Sequence, residues 1–96
     1  MARKHALLNA EFTERWKESY QGLQSAQQNG IDKVIIALLK QKPTPGMRVK
    51  PIEPGKYYCE ARINDADRLI HRTSEGTIYF IDIVSHDDIG KYSKER

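Results

Sequence analysis

The N-terminal half of the chain carries apolar side chains at helical spacing. Four of them follow at steps of four, four and three residues and share one helix face: Phe12, Trp16, Tyr20 and Leu23. Asn9 is a candidate N-cap for this helix, and Asn29-Gly30 is a helix-ending signal. A second helix is predicted over Ile31 to Lys42, and a short first strand over Lys4 to Leu8. We therefore expect a strand followed by a helical hairpin.

The C-terminal half alternates between turn signals and strand-like segments. All four prolines fall between Pro43 and Pro54, so this stretch is predicted to be a connector or an edge segment. Strands are predicted over Lys56 to Ile63, Asp67 to Thr73 and Thr77 to Val84. The order predicts a single α+β domain over residues 1–96, with the helical hairpin on one face of a twisted, mainly antiparallel sheet of three to four strands.

The loop of the last hairpin decides which side chains share a face of this sheet. Ser74-Glu75-Gly76 suits a three-residue loop with its glycine in the left-handed region, and that loop places Arg68 opposite Asp82. Because side chains alternate between faces, Arg68, Asp82 and His86 would then share the face away from the helices. A two-residue loop would instead put Arg68 on the other face from Asp82. The glycine favours the three-residue loop.

Composition indicates a small soluble domain. The chain has 30% charged residues and a mean hydropathy of −0.71. No apolar run approaches the roughly 20 residues that cross a bilayer, and the apolar stretch near the start is too short for a signal peptide. A single cysteine, Cys59, fits a reducing cytosol, and the absence of zinc-site spacing means that no metal or other cofactor is expected. The net charge of +3 weakly favours anionic partners.

Three side chains at the end of the sheet suggest work on nucleic acid. Arg68 can bind a phosphate, His86 can move a proton, and Tyr92 can stack on a base. Each has a structural alternative: an ion pair with Asp82 for the arginine, a bond to the following aspartates for the histidine, and packing of the tail for the tyrosine. His71 is expected on the opposite face as a packed histidine.

A set of basic residues could form a rim around these three: Arg48, Lys50, Lys56, Arg62, Arg68, Arg72 and Lys91. Such a rim would bind phosphates, and its affinity would fall with salt. The alternative is a scattered, solvated surface. Glu53 and Glu60 are candidate general bases and are otherwise surface carboxylates.

Several motifs, taken in order, resemble a known family. They are Arg62 to His71, Gly76 to Tyr79, and Ser85 to Asp88, preceded by a linker-like stretch from Pro45 to Ile52. Over nearly its whole length the chain resembles the RelE/ParE toxin superfamily of bacterial and archaeal toxin–antitoxin systems. For the RelE/YoeB-like branch, the resemblance implies a cytoplasmic, metal-independent endoribonuclease that cleaves mRNA, mostly on the ribosome, and so inhibits translation.

The same resemblance implies roles for individual residues. Arg68 matches the arginine that contacts the scissile phosphate, and His86 matches a position with acid–base or phosphate-binding roles. Tyr92 matches a C-terminal tyrosine that stacks on the substrate or helps activate it, and Arg62 matches another basic residue of that face. The implied partners are a cognate antitoxin, with a heterotetramer as one expected assembly, together with mRNA and the ribosome, and no membrane.

The sequence also departs from the family pattern. The positions of a lysine pair in RelE fall near Cys59 and Ala61, which carry no such charge here. The family tyrosine after the arginine strand is replaced by His71, and Asp87-Asp88 adds negative charge beside the expected site. Glu53 lies near the carboxylate position of YoeB-like enzymes without matching it. Two alternatives therefore stay open: a ParE-like inhibitor of DNA gyrase, and a non-toxic interaction domain with the same fold.

Overall fold

The computed structural model describes residues 7–93 of the chain. Its helices and strands follow in the order β1 (Asn9–Phe12), α1 (Glu14–Gln21), α2 (Ser25–Leu39), β2 (Lys50–Pro51), β3 (Cys59–Arg62), β4 (Asp67–Ser74) and β5 (Thr77–Ser85). One 3-10 helix (Pro45–Met47) precedes β2, and a C-terminal 3-10 helix (His86–Tyr92) follows β5. The sheet has the order β1-β5-β4-β3-β2, with β1 parallel to β5 and the other neighbours antiparallel.

The predicted α+β architecture is confirmed, with five strands where the sequence predicted three or four. The first strand lies later than predicted, and residues 4–6 of the expected strand are outside the described residues. Asn9 belongs to β1, where it pairs with Thr77, so its prediction as a helix cap was wrong. The N-cap is Thr13, whose Oγ1 accepts a hydrogen bond from the Trp16 amide at 3.1 Å.

The boundary between the two helices also differs from the prediction. The first helix ends at Gln21, and Asn29-Gly30 lies inside α2 rather than at a helix end. A capping box begins α2: the Gln24 amide donates to Gln27 Oε1 at 3.0 Å. This local bonding at residues 24–27 starts the second helix early, and α2 then continues through the glycine to Leu39.

Both helices pack on one face of the sheet, where the main core lies. Its buried members come from α1, α2, β3, β4 and β5: Trp16, Ile31, Val34, Leu38, Ala61, Leu69, Ile78 and Phe80. Phe12 stacks on Phe80 at 5.0 Å between ring centroids, and it also contacts Trp16 at 5.8 Å. Phe12 therefore shares the apolar surface of Trp16, as its spacing predicted, but it does so from the strand that leads into the helix.

A smaller cluster covers part of the other face of the sheet. Ile52, Ile70 and Val84 are buried there, and Tyr58 and Tyr92 pack against them. The connection between β2 and β3 and the C-terminal 3-10 helix therefore cross this face and divide it into clefts. This second face carries the candidate functional residues.

Two features set the register of β4 against β5. The loop has two residues, Glu75 and Gly76, both with positive φ, so the prediction of a three-residue loop was wrong. A β-bulge then leaves Ile81 unpaired, because consecutive residues of β4 pair with Phe80 and Asp82. The carbonyl of Ile81 instead accepts a hydrogen bond from Thr13 Oγ1 at 2.7 Å.

A two-residue loop alone would place Arg68 and Asp82 on opposite faces of the sheet, and the bulge reverses this effect. Arg68 pairs with Val84, and Ile70 pairs with Asp82, so the predicted direct opposition of Arg68 and Asp82 was wrong. Beyond the bulge the alternation of β5 is reset, which brings Arg68 and Asp82 back to one face. The face prediction is therefore confirmed through a different register.

Candidate functional site

A small basic cleft lies at one end of the face away from the helices. It has a volume of about 140 Å³ and is lined by Arg48, Lys50, Glu60, Arg62, Arg68, His86 and Ile89. We call it the Arg68 cleft. Pairing of β2 with β3 places Lys50 beside Glu60, and pairing of β3 with β4 places Arg62 beside Arg68. Strand pairing therefore brings basic residues of three different strands to one cleft.

The guanidinium of Arg68 is held by the turn between β3 and β4. Its Nη1 donates to the carbonyl oxygens of Asn64 and Asp67 at 2.8 and 3.0 Å, with a longer bond of 3.3 Å to that of Asp65. The turn itself is closed by Asn64, whose Oδ1 accepts from the amides of Ala66 and Asp67, both at 2.8 Å. Arg68 is thus positioned before any ligand binds, which lowers the entropy lost on binding.

Glu60 is the one carboxylate of the described residues that lines the Arg68 cleft. Its Oε1 lies 3.7 Å from Arg68 Nε, and each side chain is 12% exposed. The expected ion pair of Arg68 is therefore formed with Glu60 across β3 and β4, and not with Asp82. Glu53, the other candidate base, does not line this cleft: it is exposed and lies 3.8 Å from Lys56 Nζ.

His86 stands at the rim of the cleft, at the start of the C-terminal 3-10 helix. Its backbone amide donates to the carbonyl oxygen of Ala66 at 2.7 Å, which ties β5 to the turn that holds Arg68. The imidazole side chain is 63% exposed, with Nδ1 3.8 Å from Asp87 Oδ1. Asp88 accepts a hydrogen bond from Ser85 Oγ at 3.2 Å. An exposed imidazole next to a fixed arginine can exchange protons with solvent and with a bound ligand.

Arg62 lines the same cleft and is held from one side. It makes a close ion pair with Asp65 in the β3–β4 turn, and its side chain is 31% exposed. Among residues 7–93, the cleft is therefore lined by four basic side chains, one carboxylate and one histidine. This excess of positive charge around a small cavity suits an anion such as a phosphate.

Tyr92 lies outside the Arg68 cleft. Its phenol donates to Asp82 Oδ2 at 2.6 Å, and its ring meets Tyr58 edge-on at 5.2 Å. Asp82 is buried and also accepts from Ser19 Oγ at 3.3 Å. Burial, followed by the bond to this carboxylate, raises the pKa of Tyr92 well above its usual range. The phenol therefore stays protonated and is unsuited to act as a base.

The remaining residues of the predicted rim are spread over the same surface. Lys91 lines a cleft of about 440 Å³ together with Tyr92, and Arg72 lines another of about 200 Å³. Lys56 pairs with Glu53 and lines neither. The rim is thus one compact group around Arg68 and three separate positions, those of Lys56, Arg72 and Lys91.

Sequence reasoning missed one basic residue of this surface. Arg15 of α1 lines the Tyr92 cleft, and its Nη1 lies 3.9 Å from Asp82 Oδ2. These two residues are 67 positions apart, and nothing in the local sequence of α1 distinguishes Arg15 from a solvated helix residue. Its role could be found only from the way α1 crosses β5.

His71 is buried on the helix side of the sheet, as predicted for a packed histidine. It pairs with Cys59 and Phe80, is 4% exposed, and neither ring nitrogen has a hydrogen-bond partner among the described residues. Burial lowers its pKa to about 4, so the ring is neutral at physiological pH. Burial also raises the pKa of the Cys59 thiol.

Within residues 7–93, no group of three or more His, Cys, Asp or Glu side chains is placed to hold a metal ion. The same part of the chain contains no helix long and apolar enough to cross a membrane.

No protein-family model and no curated protein matches this sequence. Solved structures do match. A metal-bound toxin from Helicobacter pylori has a TM-score of 0.73 at 18% identity, covering 85% of this chain and 98% of that one. The DinJ–YafQ toxin–antitoxin complex of E. coli gives 0.72 at 14% identity, covering 84% and 94%. The RelBE2 toxin–antitoxin complex of Mycobacterium tuberculosis gives 0.66 at 16%, covering 83% and 99%.

The sheet order, the helical hairpin and these likenesses define the class of structure. The chain has the same fold as these toxins, as the order of its motifs predicted.

Proposed function

We propose that this protein is the toxin of a type II toxin–antitoxin system and that it acts as an endoribonuclease on mRNA. The observation that carries the proposal is the Arg68 cleft, where Glu60, Arg68 and His86 meet among further cations. The likeness to toxin folds supports the same assignment. We further propose that cleavage takes place on the ribosome, in the cytoplasm, and that it inhibits translation.

The side chains of the Arg68 cleft are sufficient for RNA cleavage without a metal. A base removes the proton from a ribose 2′-hydroxyl, whose oxygen attacks the adjacent phosphorus, and an acid protonates the leaving 5′-oxygen. Glu60 serves as the base and His86 as the acid. Arg68 binds the phosphate oxygens and stabilises the charge that develops on them. Its position is already fixed by the turn carbonyls, so little reorganisation is needed.

The other cations of the cleft bind the substrate on either side of the reacting phosphate. Arg48, Lys50 and Arg62 line the cavity and would contact neighbouring phosphates. Tyr92 lines the separate 440 Å³ cleft, and its phenol is held by Asp82. In this proposal Tyr92 stacks on or orients the substrate and takes no part in proton transfer.

The partner proposed for this chain is a cognate antitoxin, with a heterotetramer as one assembly. An antitoxin that covers the Arg68 cleft would present carboxylates to its four basic side chains and so exclude RNA. This explains how one surface could serve both the active and the inhibited state.

Expression in bacteria with mapping of mRNA ends tests the proposal. The wild type is expected to arrest growth and to cut translated messages, and purified protein should cut mRNA only when ribosomes are added. Glu60→Gln and His86→Gln should each lower the cleavage rate by roughly 10²- to 10⁴-fold, the usual contribution of one acid or base. Arg68→Lys should cost about 10²-fold or more, because it keeps the charge and loses the fork of donors.

Matched controls separate loss of chemistry from loss of fold. Glu18→Gln on α1 and Lys33→Gln on α2 change the same charges at exposed positions away from the cleft, and both should keep full activity. Circular dichroism and thermal melting check that every variant is folded. Full activity in all three cleft variants would refute the proposal. Growth arrest with intact mRNA and DNA damage would instead favour inhibition of gyrase.

A further inference from the structure

Two clefts on the sheet face adjoin each other beyond the Arg68 cleft. One is lined by Tyr57, Tyr58, Arg72, Tyr79 and Ile81, and the other by Thr13, Arg15, Tyr58, Ile81, Lys91 and Tyr92. Tyr58 and Ile81 line both, so the two clefts adjoin each other. We call them together the aromatic groove. The cleavage chemistry proposed above does not use its Tyr57–Arg72–Tyr79 end.

That end of the groove carries two partly exposed tyrosine side chains. Tyr57 and Tyr79 are 40% and 37% exposed, which places them among the exposed large hydrophobic side chains of the described residues. The guanidinium of Arg72 lies over the Tyr57 ring at 4.3 Å from its centroid. Exposed rings with an arginine plane beside them form the kind of surface on which unpaired nucleic-acid bases stack.

The charge of the aromatic groove favours an anion. Arg15, Arg72 and Lys91 line it, whereas no Asp or Glu within residues 7–93 lines either cleft. The buried carboxylate beneath it, that of Asp82, is already bonded to Tyr92 and faces Arg15. Glu11 of β1 is paired in register with Tyr79 and is the carboxylate at the outer edge. The cations that line the groove would attract a phosphate backbone, and the carboxylate of Glu11 would repel it from the outer edge of the sheet.

The groove lies in line with the Arg68 cleft. Arg68 and Arg72 point to the same face of β4, four residues apart, which corresponds to about 13 Å along a strand. Between them Ile70 is fully buried beneath Ile52 and its neighbours. A single strand that leaves the Arg68 cleft along β4 would cross this apolar ridge and reach Arg72 within a few nucleotides.

We propose that the Tyr57–Arg72–Tyr79 end of the aromatic groove is a second binding subsite for single-stranded RNA. Bases stack on Tyr57 and Tyr79, and Arg72 binds a phosphate between them. The inference rests on the proposed ribonuclease function, since it assigns a path to that enzyme's substrate. It predicts that the affinity for RNA depends on the length of the RNA as well as on the nucleotides at the cleavage position.

Binding of non-cleavable RNA tests this subsite separately from cleavage. The probes are a fluorescent 2′-O-methyl RNA of about ten nucleotides, within the range bound by one small single-strand-binding domain, and a trinucleotide of the same chemistry. Fluorescence anisotropy is measured for the wild type and for the double variant Tyr57→Ala/Tyr79→Ala. The variant should bind the longer RNA roughly 30-fold more weakly or worse, because the loss of each of the two stacking rings costs roughly fivefold or more, with trinucleotide binding unchanged.

The salt dependence of binding tests the phosphate contact. Arg72→Gln should reduce the log–log slope for the longer RNA by about 0.7, the value for one phosphate contact to a single strand. Lys33→Gln on α2 removes the same charge elsewhere, and Ile36→Ala truncates another exposed side chain; neither should change binding. If the double variant does not fold, photo-cross-linking of the longer RNA to the wild type should label peptides that contain Tyr57 or Tyr79.

Each result supports or overturns the subsite. Equal binding of the longer RNA by the wild type and the variants, or cross-links confined to residues of the Arg68 cleft, would overturn it even if the protein cleaves mRNA. If the groove variants lose affinity for the longer RNA and the protein does not cleave mRNA, the subsite is supported and the proposed enzyme is refuted. Binding of an acidic peptide such as polyglutamate at Tyr57 and Arg72, with no RNA binding there, would overturn the RNA assignment in favour of a protein partner.

Discussion

Buried His71 makes the stability of this protein depend on pH in a specific way. The folded state holds the ring neutral, with a pKa of about 4, whereas the unfolded chain protonates it near the ordinary value of 6.5. Below pH 6.5 unfolding therefore takes up a proton. The stability that this ring contributes is complete above pH 6.5 and is lost as the pH falls towards about 4. The thiol of Cys59, its cross-strand neighbour, has a raised pKa and stays neutral throughout this range.

The size of the effect follows from the two pKa values. At 1.36 kcal/mol per pH unit, the loss amounts to about 2 kcal/mol near pH 5 and about 3 kcal/mol near pH 4. Replacing the ring by leucine removes this dependence. It also removes two buried nitrogens that have no hydrogen-bond partner within residues 7–93, so His71→Leu should be neutral or stabilising near pH 7.

Urea unfolding at two pH values measures this prediction directly. The free energy of unfolding of the wild type and of His71→Leu is determined near pH 7.5 and near pH 5. The difference between the two proteins should grow by about 2 kcal/mol at the lower pH. His86→Gln serves as the control because it removes an exposed histidine. If His71→Leu loses as much stability as the wild type between the two conditions, the reasoning about the buried ring is refuted.

Three further substitutions test what holds the fold around the site. Thr13→Ala should lower the free energy of unfolding by about 2 kcal/mol, because one hydroxyl both caps α1 and donates to the carbonyl at the bulge. In the same urea experiment, Thr44→Ala should lower it by less than about 0.5 kcal/mol, because Thr44 is at an N-cap position but makes no capping bond with its side chain. Gly76→Ala should cost about 1 kcal/mol in thermal unfolding because φ is +82° there, whereas Gly90→Ala should be neutral. Tyr92→Phe should cost about 1.5 kcal/mol by losing its bond to a buried carboxylate, measured by urea unfolding.

Each of these predictions has an outcome that contradicts it. Equal losses for the two threonine variants would mean that the Thr13 hydroxyl does not support the bulge. A Gly76 variant as stable as the Gly90 variant would argue against a left-handed residue in the loop. For Tyr92→Phe, unchanged stability would show that the phenol is not needed to satisfy the carboxylate beneath it.

Local sequence was sufficient for the class of fold and for the main structural segments. Apolar periodicity predicted a helical region, and β-branched runs predicted the long hairpin of β4 and β5. Helix boundaries were less well predicted, since Phe12 has helical spacing relative to Trp16 yet reaches the same core from β1. Spacing reports which surface a side chain faces, and in this chain a strand and a helix face the same surface.

The Arg68 cleft was predicted in part. Arg68, His86 and Arg62 were expected on one face, and they line one cavity. The choice between the two candidate bases could not be made from the sequence. Glu60 enters the cavity because β3 pairs with β4, whereas Glu53 lies in the irregular connection before it. Strand pairing is a long-range property, and no local pattern around either carboxylate encodes it.

The register of the site was decided by tertiary structure. The sequence determined that Gly76 would close a tight hairpin, but not that the loop would have two residues. Nor did it indicate the bulge at Ile81, whose carbonyl is bonded to Thr13, 68 positions away. A one-residue shift moves every later side chain of a strand to the opposite face. Whether His86 comes to the same face as Arg68 therefore depends on the bulge in β5, whose carbonyl is bonded to a residue of the N-terminal half of the chain.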